Sequence, residues 1–76
     1  MKAYVSVEIL TDAAGVMHPK GIILDDGRRY EISHVSDVRR AASLRAGGTG
    51  IRYQITVGRR ETYLYFEDPK WFVDLA

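Results

Sequence analysis

Residues 51–67 read Ile51-Arg52-Tyr53-Gln54-Ile55-Thr56-Val57-Gly58-Arg59-Arg60-Glu61-Thr62-Tyr63-Leu64-Tyr65-Phe66-Glu67. Apolar and polar residues alternate with a period of two on both sides of Gly58-Arg59, the pattern of two strands in a half-buried sheet. Gly58-Arg59 suits a two-residue turn with glycine at its first central position. Folding the stretch about that turn pairs Val57 with Arg60, Ile55 with Thr62, Tyr53 with Leu64 and Ile51 with Phe66 on one face. Thr56–Glu61, Gln54–Tyr63 and Arg52–Tyr65 fall on the other. One face is nearly all apolar and the other polar-aromatic. A one-residue slip would exchange the two, so the register is self-consistent.

The same reasoning extends outward. Asp68-Pro69-Lys70-Trp71 predicts a type I turn with proline at its second position. It leads into a last strand, Trp71 to Asp74, whose expected pairs are Phe66–Val73 and Leu64–Leu75. At the other end, Ala3, Val5, Val7 and Ile9 alternate with Tyr4, Ser6 and Glu8, which reads as a strand, and Thr11 to Gly15 reads as a turn. Pro19 cannot donate to a ladder and predicts an edge or a bend. Ile22-Ile23-Leu24 and Arg28 to Ser33 form another hairpin around Asp25-Asp26-Gly27. A three-residue loop puts Ile22, Leu24, Tyr30 and Ile32 on one face, with Gly27 left-handed as the bulge residue; a two-residue loop splits that set. Tyr53, Phe66 and Trp71 are expected in the core. Phe72 falls on the face opposite Trp71, and its exposure beside Tyr65 would mark an association patch.

Residues 34–50 are ambiguous. Asp37 to Ala46 contains good helix formers, with Ser36 placed as an N-cap and Gly47 as a C-terminal glycine. Val38, Ala41 and Ala42 fit a helical face, but Arg45 falls on it as well. As a strand, Val38, Arg40, Ala42 and Leu44 share a face. Residues 37–45 are therefore either a short helix or a bent strand running into Gly47-Gly48-Thr49-Gly50.

The chain has 76 residues, no cysteine and an apolar fraction of 46%. That length makes one domain, burying roughly 60% of the surface its unfolded chain exposes. Without cysteine there is no disulfide and no sulfur-rich zinc site. The first residues lack the uninterrupted apolar region of a signal peptide, and no apolar run approaches the ~18 residues of a membrane span. A soluble cytoplasmic protein without a membrane partner is the expectation.

The net charge of +1 hides an asymmetry. Residues 28–60 hold eight arginines and no lysine against Glu31 and Asp37, a net +6, while residues 1–27 carry −2 and 61–76 carry −3. Arginine gives planar, bidentate contact with phosphate or carboxylate and stacks on aromatic rings. Arg39, Arg40, Arg45 and Arg52 bracket the glycine-rich loop, and Arg52, Gln54, Tyr63 and Tyr65 share the polar-aromatic face. Arginine among aromatics on a sheet face is how small barrels stack single-stranded bases. Cross-strand ion pairing with the acidic ends of the chain is the competing use of these arginines.

No chemistry of catalysis or metal binding competes with this reading. His34 lies near Ser33, Ser36 and Asp37, but neighbours on an extended chain point to opposite faces, and the group reads as a polar strand end. His18 and His34 lack metal-ligand spacing, and Asp25-Asp26-Gly27 lacks the other ligands of a calcium loop. No Lys-Ser or Lys-Thr follows the glycine loop, so it is not a Walker loop; its amides could still meet an anion.

The run Asp26-Gly27-Arg28-Arg29-Tyr30-Glu31-Ile32, then Asp37 to Leu44, Gly47 to Tyr53 and Trp71-Phe72-Val73 resembles a group of short uncharacterised bacterial proteins that look like SH3-type small β-barrels. The similarity spans about residues 20–74. It implies a barrel, tilts residues 37–45 toward strand, and carries no activity with it. The expectation is thus an all-β, five- or six-stranded antiparallel SH3-like small barrel. It is expected to be a non-catalytic binding module without cofactor or metal. Its partner is expected to be nucleic acid or an acidic protein surface, met through Arg39, Arg40, Arg45, Arg52, Gln54, Tyr63 and Tyr65. The alternative is a protein-interaction module or a self-associating homodimer.

Overall fold

The computed structural model describes residues 1–40 and 50–74. Six strands follow one another along the chain: β1 (Lys2–Thr11), β2 (Met17–Ile23), β3 (Arg29–Arg40), β4 (Ile51–Val57), β5 (Arg60–Glu67) and β6 (Lys70–Asp74). Each pairs antiparallel with its successor, and β6 pairs back onto β1 to close a barrel. The observed fold is the all-β antiparallel small barrel expected from the sequence, with six strands of the five or six expected.

The central hairpin has the expected register at every position, from Ile51 opposite Phe66 to Val57 opposite Arg60. Gly58 has φ +62°, while among the described residues no non-glycine residue has positive φ. Left-handed geometry at the first central residue alone is the type II′ arrangement, whose twist matches that of the flanking strands. The β2–β3 hairpin also forms as expected, with Ile22 opposite Tyr30. The Leu24 amide donates to the Arg28 carbonyl and the Gly27 amide to the Leu24 carbonyl, both at 2.9 Å, and Gly27 takes φ +87°. Ile22, Ile32, Tyr53, Ile55, Leu64 and Trp71 form the buried core, with Phe66 packed against it.

The last hairpin departs from expectation. Phe66 lies opposite Trp71, and Glu67 opposite Lys70, so the loop is Asp68-Pro69 and the register is two residues from the Phe66–Val73 pairing read from the sequence. This register places proline at the third position of the turn rather than the second of a type I turn, and the Asp68–Pro69 peptide is cis. A two-residue shift preserves side-chain parity, so Trp71 and Val73 still face inward.

The ambiguity after residue 34 resolves as strand for Asp37–Arg40; residues 41–45 lie outside the described residues. Two bulges interrupt the β3–β4 ladder, where Ser33 and Ser36 are the extra residues. Each serine hydroxyl donates to a β4 carbonyl, Ser33 to Thr56 at 3.2 Å and Ser36 to Gln54 at 3.4 Å. Bulges bend a strand and raise its twist, which lets β3 leave β2 after three paired residues and cross to β4. A third bulge, at Lys20, leaves Pro19 opposite Ile9 and outside the β2–β3 ladder, the bent, one-sided position expected for a proline.

The β1–β2 turn is organised by one carboxylate. Asp12 Oδ1 accepts from the amides of Ala14 and Val16 at 2.9 and 3.0 Å, and its Oδ2 lies 2.9 Å from His18 Nε2. The imidazole contact first, and the backbone amides next, hold the carboxyl below its ordinary value near 3.8.

Two tests follow from this packing. Leu64→Ala and Ile55→Ala, at sites with no solvent exposure, each lower unfolding free energy by about 2–5 kcal/mol in urea titrations; a loss below about 1 kcal/mol would contradict the core assignment. For Asp12 the folded pKa is depressed, so its stabilisation is complete above the unfolded value and is lost as pH falls through the lower folded one. An NMR titration should place the Asp12 carboxyl below 3.8, and a value at or above it would remove the proposed linkage.

Candidate functional site

Strand pairing builds a row across the outside of the barrel. Tyr4 on β1 lies opposite Phe72 on β6, Phe72 opposite Tyr65 on β5, Tyr65 opposite Arg52 on β4, and Arg52 opposite Arg39 on β3. Five consecutive strands thus contribute three aromatic rings and two guanidinium groups to one line.

The aromatic half of the row is a packed cluster. Tyr65 and Phe72 stack with centroids 4.9 Å apart and planes 8° from parallel, and Tyr4 meets Phe72 edge-on at 5.9 Å. The Lys2 ammonium lies 4.9 Å from the Phe72 ring centroid and bonds Glu67 at 3.0 Å. That bond with Glu67 is the main reason the Lys2 pKa is raised. Phe72 is 2% exposed and Tyr65 8%. Phe72 is therefore no exposed association patch, and Tyr65, expected on the binding face, has its ring occupied by an internal stack.

The arginine half is open. The Arg52 guanidinium lies 4.6 Å from the centroid of the Tyr63 ring, which is 40% exposed. Gln54, opposite Tyr63, donates from Nε2 to Glu61 at 2.7 Å. Arg39 donates to Asp37 at 2.8 Å. Arg40 pairs with Ile51 rather than Arg52, so the pleat directs it to the side opposite Arg39. Arg45 lies outside the described residues. Of the seven residues expected at the site, Arg39, Arg52, Gln54 and Tyr63 share an accessible outer face, and Tyr65 adjoins it as support.

Ion pairing accounts for part of the basic charge. Arg28 bonds Asp26 at 2.6 Å. Arg29 bridges Glu8 at 2.7 Å and Glu31 at 2.9 Å, lying across Gly21, where a Cβ would meet the guanidinium at 2.8 Å. Both carboxylates raise the Arg29 pKa, Glu8 more than Glu31. Among the described residues Arg40, Arg52, Arg59 and Arg60 have no carboxylate partner, so pairing with the acidic ends of the chain does not reach them. The sequence revealed the excess of arginine; only the contacts distinguish the paired guanidinium groups from the open ones.

Two further concavities among the described residues bear on function. β2 and β3 separate beyond Gly21 and Glu31, opening a cleft of about 230 Å³ that His18, Lys20, Ser33 and His34 line. Its polar groups are engaged separately, Ser33 with the Thr56 carbonyl and His18 with Asp12, while Asp37, outside the cleft lining, bonds Arg39. His34 therefore has no oriented nucleophile or carboxylate beside it among them. The second concavity, about 500 Å³ at one mouth of the barrel, was not anticipated; the core-face position of Arg60 was its one visible sign. Among the described residues no group of three or more His, Asp and Glu converges as a metal site.

The two kinds of surface aromatic should behave differently. Phe72→Ala costs about 3–5 kcal/mol of stability, whereas Tyr63→Ala stays within about 0.5 kcal/mol of the parent, both read from denaturant midpoints. Equal losses would contradict the division into packed and open halves. Comparison of the chain with protein-family models, with curated proteins and with solved structures finds no match.

Proposed function

We propose that the protein is a non-catalytic binding module whose outer β3–β5 face takes single-stranded nucleic acid. One observation carries the reading. Arg52, without a carboxylate partner among the described residues, holds its guanidinium 4.6 Å from the centroid of a solvent-exposed tyrosine ring, with Arg39 next to it in register. Planar cations and rings on a rigid sheet offer stacking to bases and bidentate donors to phosphates. Tyr65 and Phe72, packed beside them, keep the platform fixed. The Arg59 guanidinium, exposed at the β4–β5 turn and without a carboxylate partner among the described residues, adds positive charge for a phosphate backbone to meet.

Binding of a labelled single-stranded oligonucleotide, measured by anisotropy across a salt series, tests this. Affinity should fall with rising salt, and Arg52→Gln should flatten the log–log slope by about 0.7 for each phosphate that the guanidinium neutralises. Tyr63→Ala should weaken binding at every salt concentration without changing the slope. Absence of binding at low salt, where phosphate contacts are strongest, overturns the reading.

A second reading is favoured by Leu10 and Val16, both more than half exposed at the β1–β2 end of the barrel. Apolar side chains there suit another protein or a second copy of the chain. Sedimentation equilibrium separates the readings. A dimer dispersed by Leu10→Ser supports self-association, and a monomer at every concentration removes it.

A further inference from the structure

The mouth of the barrel beside the β4–β5 turn has the make-up of a small-molecule site. Its concavity, about 500 Å³, is walled by aliphatic side chains including Ile22, Leu24, Val57 and Val73. A pocket of this size, apolar with a few polar groups, is the usual form of a ligand site. Here the polar groups are Tyr30, Thr62, one cation, Arg60, and one carboxylate, Asp74.

Arg60 is placed there by register. It lies opposite Val57 on the strand face that carries Ile55 and Leu64 inward, so an arginine occupies the last position of the core face. It has no carboxylate partner among the described residues, although an acidic group, Asp74, lines the same concavity. The terminal ammonium of Met1 bonds Asp74 at 3.0 Å, which offsets that negative charge. The Arg60 guanidinium thus stands at the rim of an apolar hollow with no ion-pair partner among the described residues.

We propose that this mouth binds small amphipathic carboxylates, the apolar body entering among Ile22, Leu24 and Val57 and the carboxylate taking the Arg60 guanidinium. The fork of guanidinium donors matches a carboxylate's two oxygens. The site is separate from the nucleic-acid face. Arg52 lies five residues away along β4 on the opposite side of the sheet, so failure of either reading leaves the other intact.

Titrations of the ¹⁵N-labelled protein with 2-naphthoate and with the uncharged 2-naphthalenemethanol provide the test. The carboxylate should shift the amide signals of Leu24, Val57, Thr62 and Val73 and bind about fivefold more tightly than the alcohol. Arg60→Gln, at an exposed position, should abolish that preference while leaving alcohol binding unchanged. Val57→Trp should fill the mouth and block both probes; should that variant fail to fold, the Arg60→Gln comparison decides alone. The proposal is overturned by shifts that map elsewhere, by the absence of shifts at millimolar naphthoate, or by a carboxylate preference that survives Arg60→Gln.

Discussion

The pairing of Lys2–Val5 with Trp71–Asp74 turns a linear series of hairpins into a barrel. A two-stranded hairpin is marginal in water, and an open sheet presents unpaired edges. Without cysteine, the chain has no disulfide to compensate for a small core. Closure brings Trp71 opposite Val5 and lets the Tyr53–Leu64 layer pack from several strands at once. It also joins the outer faces of β1 and β6, and so assembles the row from Tyr4 to Arg39. Core and candidate surface are two consequences of one ladder.

Closure requires strands to bend. Barrel strands tilt and coil, and bulges are the usual means of turning a strand sharply. In β3 the bending falls at Ser33 and Ser36, whose hydroxyls bond β4 carbonyls within the disturbed ladder. A serine at a bulge offers its own hydrogen bond while the backbone pattern is interrupted. Lys20 marks the corresponding bend in β2. The cleft lined by His18 and His34 lies where these bent strands diverge, so its two histidines share one lining as a by-product of curvature.

Those bulges also explain why β3 was hard to read. Ile32, Val35 and Val38 all lie opposite core-face residues of β4, yet they are three residues apart. Each bulge inserts one residue into a period of two, and the result imitates helical spacing. The composition around Asp37 to Arg40 strengthened the imitation. β4 and β5 contain no bulge and were legible at every position. The candidate surface divided in the same way. Parity put Arg52, Gln54, Tyr63 and Tyr65 on one face correctly. It could not show that Tyr65 would be stacked away by Phe72, since the two meet through the β5–β6 register.

Local pattern determined the strands, the glycine turns, the inward face of each regular strand and the excess of arginine in the middle of the chain. These follow from side-chain alternation and from the positive φ that Gly27 and Gly58 adopt, properties of a few neighbouring residues. Tertiary structure decided the rest: the pairing of β1 with β6, the turn at Asp68-Pro69, which arginines meet a carboxylate, and the hollow beneath Arg60. The closing ladder, the hollow and the longer-range ion pairs depend on groups brought together from separated parts of the chain. Arg29 meets Glu8 across 21 residues and Lys2 meets Glu67 across 65, separations over which alternation carries no information.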